Sequence, residues 1–264
     1  MLSWLLLTAL AVAQGIPPQP SAENQTVPSD AANAQRAKVV IDQGIQALGG
    51  SAYLHWQDVT QEGRSYSFHH GEANSVGTLF WRFKKFPDKE RVELTKKRDV
   101  VELFNGDKGY EITFRGVRNM EEKDELTPYL RRRRFSLDVV LREWLNQPGV
   151  ALFYEGQTVA AQKETEQVII MTAKNEAVTI NFDVNTHLPV RKSFTWRDPV
   201  DKQRNVEEEI YDNYRRAGDI MTPFDVTRTF NGDMAAQFFL TSANYNQSLQ
   251  DSLFDPAAAN GKRH

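Results

Sequence analysis

No cysteine occurs among the 264 residues. That removes disulfides, Cys-ligated zinc, thiol nucleophiles and a lipid-modified cysteine together. An excess of one charge is missing too: 32 Lys and Arg against 35 Asp and Glu leave a net −3, so no global field draws the chain to nucleic acid or anionic membranes. The apolar run Trp4 to Ala13 is too short to span a bilayer, since ten residues at about 1.5 Å each reach about 15 Å, half of a hydrocarbon core. There is no nucleophile elbow, phosphate-binding glycine loop or dinucleotide fingerprint. His69 and His70 adjoin on an extended run and point to opposite faces, while His55 and His187 have no ligand motif around them. Glu207-Glu208-Glu209 offers carboxylates without an identifiable acid and base pair. A protein that is not an enzyme, with no cofactor and no metal, is the expectation.

What is present begins with the leader. Residues 1–13 read as a signal peptide, with Ala11-Val12-Ala13 supplying the small-x-small pattern before cleavage after Ala13. Residues 14–30, with Pro17, Pro18, Pro20 and Pro28 among Gln, Ser, Asn and Thr, read as a disordered linker. An amphipathic helix follows: Ser29 or Asp30 can cap it, Ala37, Val40, Ile41, Ile45 and Leu48 share one face, and Gly49-Gly50 stops it. Extended runs come next at Val59–His69, Val76–Phe86, Arg91–Lys97, Val100–Phe104 and Tyr110–Arg115, separated by turn-forming pieces such as Asn105-Gly106-Asp107. After the polar stretch Asn119–Glu125, Ser136 can cap a second helix whose Leu137, Val140, Leu141, Trp144 and Leu145 keep helical spacing to Pro148-Gly149.

The remainder is strands. In Val178 to Asn185 the apolar Val178, Ile180, Phe182 and Val184 alternate with Thr179, Asn181, Asp183 and Asn185, the period of a half-buried strand. Such one-sided strands in series build a curved antiparallel sheet with an apolar concave face, suited to holding a greasy ligand. The order is helix, about five strands, helix, about eight strands.

Three pieces of this arrangement resemble the periplasmic lipoprotein-carrier superfamily of lipoprotein-sorting proteins and receptors. They are the helix exit Ala47-Leu48-Gly49-Gly50, the strand and turn Phe182 to Val190 with Thr186-His187-Leu188-Pro189, and the ending Tyr211-Asp212-Asn213-Tyr214 through Phe254-Asp255-Pro256. The likeness spans residues 31–256, taken as one domain with a tail at 257–264. It implies an α+β, mostly β fold: an open antiparallel half-barrel of about eleven or more strands, with two amphipathic helices covering the concave face. It also implies a soluble, periplasmic protein binding a lipid or an acylated lipoprotein, the helices acting as a lid or plug. A structural or sensor module of the envelope that binds a protein partner is the alternative, and an envelope hydrolase a third.

Phe80, Trp81 and Phe83 on one strand, Leu137, Leu141 and Trp144 on the second helix, and Phe224, Val226 and Phe238 on late strands are candidates for an acyl cavity; ordinary core packing uses the same residue types. Arg131 and Arg132, within the run Arg131–Arg134, are candidates for a headgroup or an acidic partner, although such runs are commonly solvated faces offset by neighbours such as Glu121, Glu122, Asp124 and Glu125. The family's carriers use an arginine near the cavity mouth, to which Arg64 or Arg82 corresponds in this reading.

Overall fold

In a computed structural model, residues 30–74 and 76–260 are described. The expected signal peptide, nearly all of the expected linker and the end of the tail lie outside them. A helix α1 (Asp30–Leu48) and a single turn α2 (Ser51–His55) precede β1 (Asp58–His69), β2 (Glu72–Ala73), β3 (Thr78–Lys85), β4 (Lys89–Leu94), β5 (Val100–Asn105), β6 (Lys108–Thr113) and β7 (Gly116–Asn119). Helices α3 (Thr127–Arg134) and α4 (Leu137–Arg142) lead to β8 (Ala151–Ala160), β9 (Lys163–Met171), β10 (Ala177–Asp183) and β11 (Pro189–Arg197). The chain continues through β12 (Arg204–Ala217), β13 (Ile220–Phe230), β14 (Asp233–Tyr245) and a last short helix, α5 (Pro256–Asn260).

One antiparallel sheet runs β7-β6-β5-β4-β3-β1-β14-β13-β12-β11-β10-β9-β8, with β2 attached to β1 alone. It does not close into a barrel. Two meanders meet where the first long strand pairs with the last, Val59 opposite Tyr245 and Ser65 opposite Phe238. This order has a consequence for the helices. Strands β7 and β8 are the two free edges, so residues 120–150 must carry the chain from one side of the sheet to the other. The segment crosses the concave face, and α3 and α4 lie on that crossing.

Helix α1 forms where expected, and the Gly50 amide closes it on the Ile45 carbonyl at 2.8 Å. Its apolar stripe packs with Val168, Ile170, Val178, Ile180 and Phe182 of β9 and β10. The approach is close: a Cβ on Gly44 would overlap the Phe182 ring. Asn33 ties the helix to the free edge by a double hydrogen bond, accepting from the Tyr154 amide and donating to its carbonyl at 2.8 Å each. Helix α4 adds Val139, Val140, Leu141 and, one step on, Trp144 to the same core. Its start is capped by Ser136, whose side-chain oxygen accepts from the Val139 amide at 3.4 Å.

Two sequence expectations change. Strand β10 is not half-solvated, since Asn181 is fully buried on the face opposite Ile180. Its amide donates to Thr165 and Gln167 and accepts from Arg191, so neighbouring polar side chains close that face. Helix α3, which contains the arginine run, adds a helix to the two amphipathic helices expected.

Candidate functional site

The concave face divides in two. Under α1 it is filled; beneath α3 and α4, against β1, β3–β5 and β12–β14, it encloses a cavity of about 610 Å³. That volume is within the roughly 300–1,000 Å³ of typical ligand sites. Strand alternation decides its wall. On β3 the residues facing in are Thr78, Phe80, Arg82 and Lys84; on β4 they are Glu90, Val92 and Leu94. Cross-strand rows then follow from the register. Tyr211, Val226, Phe238, Ser65 and Thr78 form one row, and Leu240, Gly63, Phe80 and Leu94 another. Gly63 matters in the second, because a Cβ there would meet the Phe80 ring and a backbone carbonyl.

Helix α3 closes the space. Tyr129 stacks on Phe104 with ring centroids 3.4 Å apart and donates its hydroxyl to Glu90 at 3.0 Å. The arginine run does not form a solvated face. At about 100° per residue its members leave in four directions. Arg131 donates to Glu207 at 2.9 Å and lies over the Trp196 ring at 3.5 Å. Arg133 donates to the carbonyls of Gly106 at 2.6 Å and Asp88 at 3.2 Å. Arg134 reaches Glu176, and Arg132 turns into the cavity. Of the acidic residues expected to offset the run, Glu125 is engaged elsewhere, held by Arg118 at 2.7 Å. Helix α4 is anchored by Arg142, which donates to the carbonyls of Leu54 and Trp56 at 3.0 and 2.8 Å.

Of the residues singled out in the sequence, Phe80, Arg82, Arg132, Leu137, Val226 and Phe238 line this cavity. The others do not. Trp81 and Phe83 alternate to the convex side, beneath Arg98 at 4.9 and 5.9 Å, because neighbours on a strand cannot share a face. Arg64 is convex for the same reason, paired in register with Leu79 and bonded to the Gly77 carbonyl. Leu141 and Trp144 are buried in the main core, on the side of α4 turned to the sheet. Phe224 packs with Ala217 and Ala243 in a separate cluster. Arg131 is committed to Glu207.

Sequence reasoning missed the charged floor. Lys192, with no exposed surface, donates to Glu209 at 2.9 Å; Tyr211 donates to the same carboxylate at 2.7 Å and Arg228 stands 3.6 Å away. Burial works to raise the Glu209 carboxyl, yet these cations and hydrogen bonds hold it well below the carboxylate range. The register Lys192–Glu209–Arg228 spans β11 to β13. Alternation across those strands would have revealed it once their pairing was known. Glu102 goes the other way: burial and then the nearby Glu90 raise it, against the pull of Arg82. Among the described residues there is no group of three or more metal-ligating side chains able to hold an ion, and no helix is long and apolar enough to cross a membrane.

No protein-family model matches the chain, and no curated protein matches it in sequence. Solved structures do. A DUF1329 family protein from Desulfovibrio piger superposes with a TM-score of 0.60 at 13% identity, covering 84% of this chain and 98% of that one. A domain assigned to outer membrane lipoprotein sorting, from Vibrio parahaemolyticus, gives 0.55 at 9% identity over 85% and 99%. A LolA superfamily protein from Nitrosomonas europaea gives 0.51 at 10% identity over 83% and 97%. At such identities the likeness is one of fold: the chain has the half-barrel architecture of these proteins.

Proposed function

We propose that this chain is a non-enzymatic, exported binding protein of the bacterial cell envelope that holds an amphiphilic ligand, a lipid or a lipoprotein acyl chain, between the sheet and helices α3 and α4. The single observation that carries this reading is the cavity itself. It is roomy, lies where the crossing segment covers the concave face, and combines Phe80, Val226, Phe238 and Leu240 with charged side chains. An acyl chain brings about 0.8 kcal/mol per methylene buried, so a modest length suffices for useful affinity. The envelope location is drawn from the lipoprotein-sorting domain among the fold neighbours.

Native mass spectrometry of protein purified from its own envelope, followed by lipid extraction, tests the reading. A co-purifying lipid at near-stoichiometric level is the expected result, and Val226→Trp, which fills the cavity from β13, abolishes it. A clean apo mass with no uptake of fatty acid or phospholipid overturns it. A second reading, an envelope module that recruits a protein, is favoured by the free edge at β8, where Val159 is 70% exposed. Partner capture that is lost on Val159→Lys, with the cavity empty, would select it.

A further inference from the structure

Three arginines from separate elements turn toward one part of the cavity: Arg82 on β3, Arg228 on β13 and Arg132 on α3. The guanidinium carbons of Arg82 and Arg228 stand 5.3 and 4.9 Å from the centroid of the same ring, Phe238. Arg132 is close enough that, after burial, repulsion by Arg228 is the next cause drawing it down to about 10. Protein acceptors satisfy this group only in part: Arg82 Nη1 donates to Gln61 at 3.3 Å, and the carboxylates of Glu90 and Glu209 stand beside Arg82 and Arg228. Nε of Arg82 and Nε of Arg228 are both buried without a hydrogen-bond partner among the described residues. The Glu90 oxygen 3.2 Å from Arg82 Nε is out of line for a hydrogen bond, and the other Glu90 oxygen accepts from Tyr129. One Glu209 oxygen accepts from both Lys192 and Tyr211, and the other faces Arg228 at 3.6 Å, beyond hydrogen-bond reach. Arg132 has no ion pair among the described residues, unlike Arg131, Arg133 and Arg134 beside it. The wall carries seven basic and five acidic side chains, a positive excess inside a chain whose net charge is −3. Half-buried guanidinium groups whose donors are not all met favour a further counter-charge.

We propose that Arg82, Arg132 and Arg228 form an anion site within the cavity, taking the phosphate or carboxylate headgroup of an amphiphile whose chain lies along Phe80, Val226 and Phe238. The planar guanidinium fork suits both headgroups through charge-assisted hydrogen bonds. The inference rests on the amphiphile reading above and narrows its ligand class to anionic.

Titration calorimetry of the full chain with dodecyl phosphate, dodecanol and inorganic phosphate tests it. Dodecyl phosphate should bind at least about tenfold more tightly than dodecanol, the gain expected of one or two hydrogen bonds to charged groups. Arg132→Gln should remove most of that preference, weakening dodecyl phosphate far more than dodecanol, while Arg132→Lys retains part of it. Arg228→Gln should act likewise if it folds; Arg132→Gln alone decides if it does not. Equal affinity for phosphate ester and alcohol overturns the anion site and leaves the amphiphile reading standing. Inorganic phosphate binding as tightly as dodecyl phosphate keeps the anion site and overturns the amphiphile reading. No binding by any of the three overturns both. A preference untouched by either substitution places the headgroup elsewhere and overturns the assignment.

Discussion

Two halves of one concave surface differ in what they present. Beneath α1, strands β9 and β10 offer Val168, Ile170, Val178, Ile180 and Phe182, each at most 1% exposed. Farther along the same sheet, β1, β3, β4 and β13 offer Gln61, Arg82, Glu90 and Arg228 toward the crossing segment. The backbone is alike in both. In the first half, side chains of about the right size interdigitate with a helix that can approach closely because residue 44 is glycine. In the second, charged groups leave the facing helix held by a few directed contacts, such as Tyr129 and Arg133, and the space between is not filled. The sheet is therefore one scaffold with a filled, structural end and an open, charged end, the latter the proposed ligand site.

The largest effect that tests this division is a matched pair of truncations. Phe182→Ala should cost about 3–5 kcal/mol, because the ring is buried between α1 and the sheet and cannot be replaced by relaxation. Phe238→Ala, in the cavity wall and partly exposed, should cost well under half of that. Urea denaturation of both variants at neutral pH measures the difference, and equal losses would dissolve the distinction.

The boundary between the halves is the next place to press. Glu209→Gln strands Lys192, which has no exposed surface. Removing one partner of such a pair costs about 3 kcal/mol or more. The carboxylate also makes stability depend on pH with a definite sign. Its folded pKa is depressed, so its contribution is fully present above the unfolded value of about 4.3 and is lost as pH falls through the folded value. Thermal melts between pH 5 and pH 3 should fall more steeply for the wild type than for Glu209→Gln, whose melting temperature is lower but flatter. Parallel curves would remove Glu209 from the acid-sensitive groups.

These residues also mark how far the sequence could be read. Helix α1 and strand β10 were legible because each has a clear period and a glycine or proline soon after it, Gly49-Gly50 for the helix and Pro189 for the strand, and they pack against each other. The cavity half was less so. Leu79 to Phe83 is apolar on both sides, so periodicity could not say that Phe80 faces inward while Trp81 and Phe83 face Arg98. Helix α3 was hidden by its composition. Four consecutive arginines read as solvated charge until the sheet order shows that this segment must cross from β7 to β8, where each arginine meets a different wall. Lys192 and Glu209 sit 17 residues apart in sequence and come together only through strand register. Local pattern determines the elements; the cavity depends on which strands become neighbours.

A smaller effect sharpens the packing side. Gly44→Ala adds one methyl where the Phe182 ring already lies, and overpacking of that kind costs about 1–3 kcal/mol even though alanine is the better helix former. Gly71→Ala, where nothing lies near the added carbon but φ is +77°, separates steric contact from backbone strain. The first should be rescued by Phe182→Leu and the second should not. Double-mutant denaturation measures that coupling.

The smallest expected change carries the most information about the ligand half. Arg132→Gln should leave the stability of the ligand-free protein within about 0.5 kcal/mol, or raise it. Its guanidinium is drawn down by burial and by Arg228, and it has no ion pair among the described residues to lose. Glutamine relieves the repulsion while its amide keeps hydrogen-bonding capacity. A substitution that is neutral or favourable for folding but harmful to ligand binding is the signature of a residue kept for function. Denaturation in the absence of lipid, set beside the same measurement with dodecyl phosphate in excess, reads both sides at once: the variant should match or exceed the wild type when empty and fall behind it when loaded. If Arg132→Gln instead unfolds as readily as Phe182→Ala, the open half is held together by its charges, and the contrast between structural and ligand ends fails at the residue where it was drawn most sharply.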